Sequence, residues 1–362
     1  MLTIDLATTI VPKDHKIWKL FPGEGYKFDR VIDSKKIAFL DVRGLDRLKG
    51  KPRDWVREKL EDVVSLDRWR RQNSATQQKT DRRISSADKS SATFVDGLLN
   101  VAKKGDFLAI PSQGADGKIN IFELATRSGS VSRVEAQDGR EDYTYLGRKV
   151  HWLGAIPKRK LDFSLIELLQ TPVPFFDLGD AGREKIYEEI LGNYVYGNKY
   201  VATYRVAKQE YNSRDNRLVS TWMEFVDVAS SEKHFADALS ATRSTSITSI
   251  LDKSQLDEAL RSDLSIDIRS PGDIIMAAKR IAPLIGLAMF ELAITGVSYT
   301  DAIGAETHMT ILGGAVDHCT AEIDASVRSI IKAMGSQRWI EACEVAQAAA
   351  ENAKLSTDAN IE

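Results

Sequence analysis

At 362 residues the chain is longer than one ordinary hydrophobic core requires, and it suits two domains. An apolar share of 43% with 28% charged residues excludes a disordered or fibrous chain, and a net charge of −2 favours no class of partner. Charge is unevenly spread: twelve Lys and Arg face six Asp and Glu between Arg47 and Arg83, whereas acids outnumber bases ten to four after Thr300. Such a split points either to different partners for the two ends or to solvated helix faces. Cys319 and Cys343 are the only cysteines, so no disulfide framework is implied and a reducing, cytoplasmic setting is expected. The opening Met1-Leu2-Thr3-Ile4-Asp5 has no basic region followed by an apolar run, so no signal peptide is expected.

In chain order, the first 155 residues alternate strand-like runs with turn chemistry. Lys16–Leu20 precedes a Pro22-Gly23 turn and Lys36–Val42 precedes Gly44, both short and rich in β-branched or aromatic residues. Asp54 can cap a helix whose apolar stripe is Trp55, Val56, Leu60, Val63 and Val64. Gln72–Ser91 reads as an exposed loop, and Phe94–Val101 as a short helix ending at Gly105. Phe107–Pro111 and Lys118–Leu124 form a hairpin about Gly114–Gly117, and Arg148-Lys149-Val150-His151-Trp152 alternates as a half-buried strand. Short strands with inserted helices make a small barrel over residues 1–160, with a helical and loop insertion over about 46–104.

The pattern changes from Leu161. A short apolar cluster ends at Thr171-Pro172-Val173-Pro174, and Asp180 can cap a helix to Leu191. A long hairpin is expected over Lys199–Val228, turning at Asn212–Asn216. Helices are expected at Phe235–Ala241, Leu256–Leu260, after Pro271, and over Asp317–Ala353. The fold class is therefore α+β, a barrel-like domain followed by a mainly helical domain over 161–362 that contains a hairpin. Ile281–Val297, about seventeen residues with Glu291 as its one charge, reads as a core or oligomer-interface helix. The alternative for it is a membrane-acting segment, at the short limit for a span.

Familiar catalytic signatures are absent from the sequence. No Gly-Lys-Ser/Thr occurs, no G-x-G-x-x-G follows a strand, and Ser112 lacks a strand–turn–helix context. His308, His318 and Cys319 match no zinc spacing. No metal or cofactor is implied. Lys208, Glu210 and Glu224–Asp227 could converge on the hairpin as a nuclease-like metal site, or form its solvent face. The stronger signal is cationic and aromatic. Arg148, Lys149, His151, Lys158, Arg159 and Lys160 cluster on one strand and its exit, interleaved with Tyr143, Tyr145 and Trp152. Cations neutralise phosphates while aromatic faces stack on bases. Arg68, Arg70, Arg71, Arg82 and Arg83, with Trp69, could extend that surface as a flap.

The order of these features over residues 16–161 resembles the PUA/EVE-like modules fused to prokaryotic restriction (including Mrr-type) and anti-phage defence proteins. The resemblance rests on Trp18, Pro22-Gly23-Glu24-Gly25, a helix running to Gly105-Asp106, Ile110-Pro111, and the Arg148–Trp152 strand. It implies a reader of modified bases or nucleotides, with Trp18, Tyr143, Tyr145 and Trp152 as an aromatic cage for a flipped base. The insertion over Lys49–Ser91 departs from the compact module, and no fused nuclease is visible. The expectation is a non-enzymatic sensor or adaptor whose C-terminal helices self-associate or bind a partner defence protein. The alternatives are a divergent metal-dependent nuclease and a membrane-acting effector.

Overall fold

The computed structural model describes residues 2–72, 83–113, 117–139, 141–267 and 271–362. The chain is mixed α/β with two open sheets, and it divides into two compact units. Asp14–Ile190 forms an inserted unit, and Met1–Lys13 joins Leu191–Glu362 in a split unit. The division at 160/161 expected from sequence thus falls inside the inserted unit, and the first strand belongs with the C-terminal half.

In the inserted unit the sheet runs Ile37–Phe39, Glu141–Pro157, Lys118–Leu124, Phe107–Pro111, Ile17–Leu20, Phe175–Asp177, and Ser132–Asp138 also pairs with the long strand. Its two end strands do not pair with each other, so among the described residues the sheet is not the closed barrel expected. The long strand Glu141–Pro157 carries different partners along its length. Ser132–Asp138 pairs with its first half, Lys118–Leu124 with its second, and Ile37–Phe39 with residues 147–149. Gly147 permits that last approach, because a Cβ there would lie 2.2 Å from the Ala38 carbonyl oxygen. The core gathers Trp18, Phe28, Phe39, Leu108, Phe122, Tyr145, Val150 and Phe175. Helix Arg57–Gln72 forms as its apolar spacing indicates, whereas Ser86–Asp96 is helical where an exposed loop was expected. Ser85 and Asp88 supply a reciprocal capping box that starts this helix. Residues 73–82 of that expected loop, and 114–116 of the hairpin turn, lie outside the described residues.

The split unit contains a mixed sheet in the order Asp263–Asp267, Gly272–Ala278, Lys199–Val206, Asn193–Tyr196, Thr3–Val11, Glu306–Ile311. Thr3–Val11 buries Ile4, Leu6, Thr8 and Ile10 at alternate positions, the period of a strand with one face on the core. It runs parallel to both neighbours. The C-terminal tail fills the gap beside Asn193–Tyr196, with Leu355–Ser356 pairing to Lys199–Val206 and Asn360–Ile361 to Thr3–Val11. The expected Lys199–Val228 hairpin is not formed: its first arm is a strand, but Ser213–Ala229 is a helix. Asn212 and Asp215 make a capping box, and Val219, Trp222, Met223 and Val226 bury one helical face. Likewise Leu256–Leu260 yields only a short 3-10 turn at Glu258–Leu260, and the segment after Pro271 starts as a strand. Ala282–Ile294 is buried from Ala282 to Ala293 inside the core, and the C-terminal helix Thr320–Ala353 kinks at Gly335. Among the described residues no helix is long and apolar enough to cross a membrane.

Candidate ligand cavity and basic edge

In the inserted unit a cavity of about 190 Å³ opens beside the Pro22–Gly25 turn. Phe21, Gly23 and Glu24 line it from the turn, Leu40, Asp41 and Val42 from the end of strand Ile37–Phe39, Ser91 and Phe94 from the capped helix, and Pro174 from the loop before Phe175. Ser91 and Phe94 are three residues apart and so share a helix face. Gly23 takes φ +83°, a conformation suited to glycine, and turns the chain between the core strand and the cavity lip. The far wall is pinned by Lys19, whose ammonium donates to the Thr171 carbonyl at 2.5 Å and to the Val173 carbonyl at 2.6 Å. Its side chain is wholly buried, and burial pushes its pKa down to about 8.

The Asp41 wall is held by a balanced charge network. Arg71 donates two hydrogen bonds to the Asp41 carboxylate, at 2.6 and 3.0 Å, and two to Asp67, at 2.9 and 3.1 Å. Lys27 bridges Asp41 at 2.8 Å and Asp138 at 2.9 Å. Arg43 pairs with Asp138 and lies 3.8 Å from the centre of the Tyr143 ring. Burial opposes ionisation of Asp138, but its bonds to Arg43 and Lys27 prevail and hold it below the usual carboxylate range. Three cations and three carboxylates thus fasten helix Arg57–Gln72 to the cavity wall. Partners this close to neutral as a group shape the cavity without giving it a strong field.

The structure does not bring the expected cage residues together as one open surface. Trp18 is buried, donates to Asp106 at 2.8 Å and stacks on Phe175 at 4.9 Å. Tyr145 is fully buried between Phe28 and Phe39, and burial pushes its pKa up to about 12. Tyr143 is half-buried under Arg43 and donates to Glu141. Arg148 is wholly buried and donates to the carbonyls of Leu98, Ala102 and Thr126; burial pushes its pKa down to about 10. Lys158 is buried against the Ser112 carbonyl, and Lys160 pairs with Glu189. Of the strand cluster, Lys149, His151, Trp152, Arg159 and the ion-paired Lys160 are exposed, Trp152 to 52%.

The arginines named as a flap divide in the same way. Arg68 pairs with Asp88 at 2.6 Å and Arg71 with Asp41 and Asp67, so both fasten helices. Arg70 and Arg83 are exposed, and Arg82 lies outside the described residues. What the sequence reading missed are Phe21, Phe94 and the Leu40–Val42 edge. The signals were present in the Pro-Gly turn that flanks Phe21 and in the helix-cap pattern ahead of Ser91 and Phe94.

Other chemistry has little to stand on. Lys208 pairs with Asp215, and Asp227 accepts from Ser262 and Arg280, so these nuclease candidates serve as clamps on a helix rather than meeting across strands. Among the described residues no group of three or more His, Cys, Asp or Glu could hold a metal ion. Burial pushes both cysteine thiols up to about 11, which keeps them protonated near neutral pH. Compared with protein-family models, curated proteins and solved structures, the chain finds no match.

Proposed function

We propose that this protein is a cytoplasmic sensor or adaptor of prokaryotic anti-phage defence. In this reading the inserted unit binds nucleic acid or a modified nucleotide, and the split unit assembles or signals. The observation that supports it is the aromatic-walled cavity at the Pro22–Gly25 turn. At about 190 Å³ it falls below the roughly 300 Å³ at which drug-sized pockets begin, which suits a single flat heterocycle. Phe21, Phe94 and Pro174 offer apolar faces, while Ser91 offers a hydrogen-bonding hydroxyl to a base edge. Lys149 and Arg159 supply exposed cations, and Trp152 and His151 exposed rings, for the flanking strand. The likeness to PUA/EVE-like modules supports the same assignment, with the cage moved from Trp18 and Tyr145 to Phe21 and Phe94.

The test is an anisotropy titration of the full chain with duplex, single-stranded and base-modified oligonucleotides at several salt concentrations. Phe94→Ala is expected to weaken base-dependent binding about tenfold, the scale of one lost aromatic stack. Replacing Lys149 and Arg159 by Ala is expected to lower the salt slope by about one phosphate each. No binding at low salt to any of the three would sink the proposal.

A further inference from the structure

A second cavity lies wholly within the split unit, at about 620 Å³ roughly three times the size of the first. That volume is in the range of small-molecule sites, about 300–1,000 Å³. Its position follows from the topology. Strands Thr3–Val11, Asn193–Tyr196 and Glu306–Ile311 are adjacent and parallel, and all three end at this point. Ile10–Lys13 leads away from the first, Gly197-Asn198 turns after the second, and Gly314–Val316 follows the third. In open α/β sheets the carboxyl ends of parallel strands are where ligands collect, because diverging loops leave a crevice there.

The lining is chemically lopsided. Ile10, Val11, Pro12, Ala315, Val316 and the ring of Tyr200 make an apolar floor and lip, and the polar side chains are Lys13, Asn198, Tyr200 and His318. Among the described residues no carboxylate lines the cavity. Among the described residues Lys13 has no acidic partner, so its charge is not already neutralised within the unit. The His318 Nδ1 lies 3.1 Å from the Val316 carbonyl. That contact makes Nδ1 the donor and leaves Nε2 for another group.

The loop from strand Glu306–Ile311 to helix Thr320–Ala353 carries Gly313 and Gly314 at φ +58° and +87°. Ala315 donates its amide to Leu312, but among the described residues the amides of Gly313, Gly314 and Val316 meet no protein acceptor. The helix terminus itself is not the binding element: Asp317 already accepts from the Cys319 and Thr320 amides. The free amides lie in the glycine loop ahead of it. Val316 is 78% exposed and Ile311 48%, large apolar residues at the end of this strand and its loop. An apolar ligand group would cover such surface.

We propose that this cavity binds a small phosphorylated ligand with a flat ring, the chemical class of a mononucleotide. The phosphate would sit between Lys13 and the Gly314 and Val316 amides, with His318 Nε2 left to accept from a ligand hydroxyl or amine, and the ring against Tyr200 and Val11. This site is separate from the base cavity of the inserted unit and does not depend on it.

The experiment is calorimetric titration of the full chain with AMP, GMP, CMP and UMP, each beside its nucleoside and inorganic phosphate, up to about 1 mM. At least one nucleotide is expected to saturate, with its nucleoside weaker by about tenfold or more, the scale of a lost charge-assisted contact. Lys13→Ala and Val316→Asp both change exposed side chains, so the fold should survive. Each is expected to weaken the nucleotide by about tenfold or more. The proposal is overturned if no nucleotide binds, if nucleosides bind as tightly, or if Lys13→Ala and Val316→Asp have no effect. Loss with Phe94→Ala alone would instead assign nucleotide binding to the other cavity.

Discussion

Replacing Arg148 by Met separates a structural arginine from a nucleic-acid contact. The guanidinium is wholly buried and donates to three backbone carbonyls, those of Leu98, Ala102 and Thr126. A methionine of similar length fills the space but strands the Leu98 and Thr126 carbonyls, at about 1–3 kcal/mol each, while the Ala102 carbonyl keeps the Ser128 hydroxyl at 2.9 Å. It also relieves the cost of burying a cation. Burial pushes the guanidinium down to about 10, and at 1.36 kcal/mol per pKa unit this returns about 3 kcal/mol. The net loss is therefore about 1 kcal/mol, or about 2–4 °C in melting temperature for a unit of this size. Urea unfolding followed by tryptophan fluorescence measures the first quantity and a thermal melt the second. Oligonucleotide affinity of the still-folded Arg148→Met protein should stay within about twofold of wild type. Unchanged stability combined with lost affinity would refute the reasoning and return Arg148 to the binding surface.

Two further outcomes test the packing of the inserted unit. Gly147→Ala would drive a Cβ into the Ala38 carbonyl, a backbone atom that cannot rotate away; a loss of at least about 3 kcal/mol in urea unfolding is expected, and a loss under about 0.5 kcal/mol would mean the strands sit further apart. His15 is buried, with Nδ1 2.6 Å from the Tyr187 hydroxyl and Nε2 2.9 Å from the Gly105 carbonyl; burial keeps its pKa below the usual value, against the opposing pull of Asp106. The unfolded chain takes that proton near pH 6.5 while the folded chain does not. Stability is thus complete above about 6.5 and falls as pH drops towards the folded value. The urea midpoint should decline as pH falls below about 6.5 in wild type and decline less in His15→Gln, whereas equal slopes would remove His15 as the cause.

Local elements were legible where one short-range pattern decided them. Phe107–Pro111, Lys118–Leu124, the helix that forms at Arg57–Gln72 and the apolar Ile281–Val297 segment carry their period in the sequence, and the last is a core helix; the expected cap Asp54 instead closes a 3-10 turn, and Trp55 and Val56 precede the helix. Residues 213–229 misled because Leu218-Val219-Ser220-Thr221-Trp222 is rich in strand formers, while the deciding signal was the Asn212…Asp215 capping box. Thr3–Val11 could not be placed from sequence, since its neighbours are about 190 and 300 residues away and no local pattern names them.

The binding edge was only half legible for a similar reason. A strand sends alternate residues to opposite faces, so Arg148 and Val150 go inward together while Lys149 and His151 face out. Reading the cations as one rim ignored that alternation. Trp152 should then have been buried, but a register shift opposite Ile121 and Phe122 breaks the period and leaves it exposed. The cavity brings together residues from Phe21 to Pro174 across four segments, a coincidence set by tertiary structure alone.

The most direct measurement is ultraviolet cross-linking of the full chain to a single-stranded oligonucleotide carrying 5-iodouracil, with the adduct sites read by peptide mass spectrometry. A base seated in the cavity should mark Phe21 and Phe94, and competition with unlabelled oligonucleotide should abolish both adducts. Adducts confined to Trp152, or to residues of the split unit, would contradict the assignment of the Pro22–Gly25 cavity as the reading site.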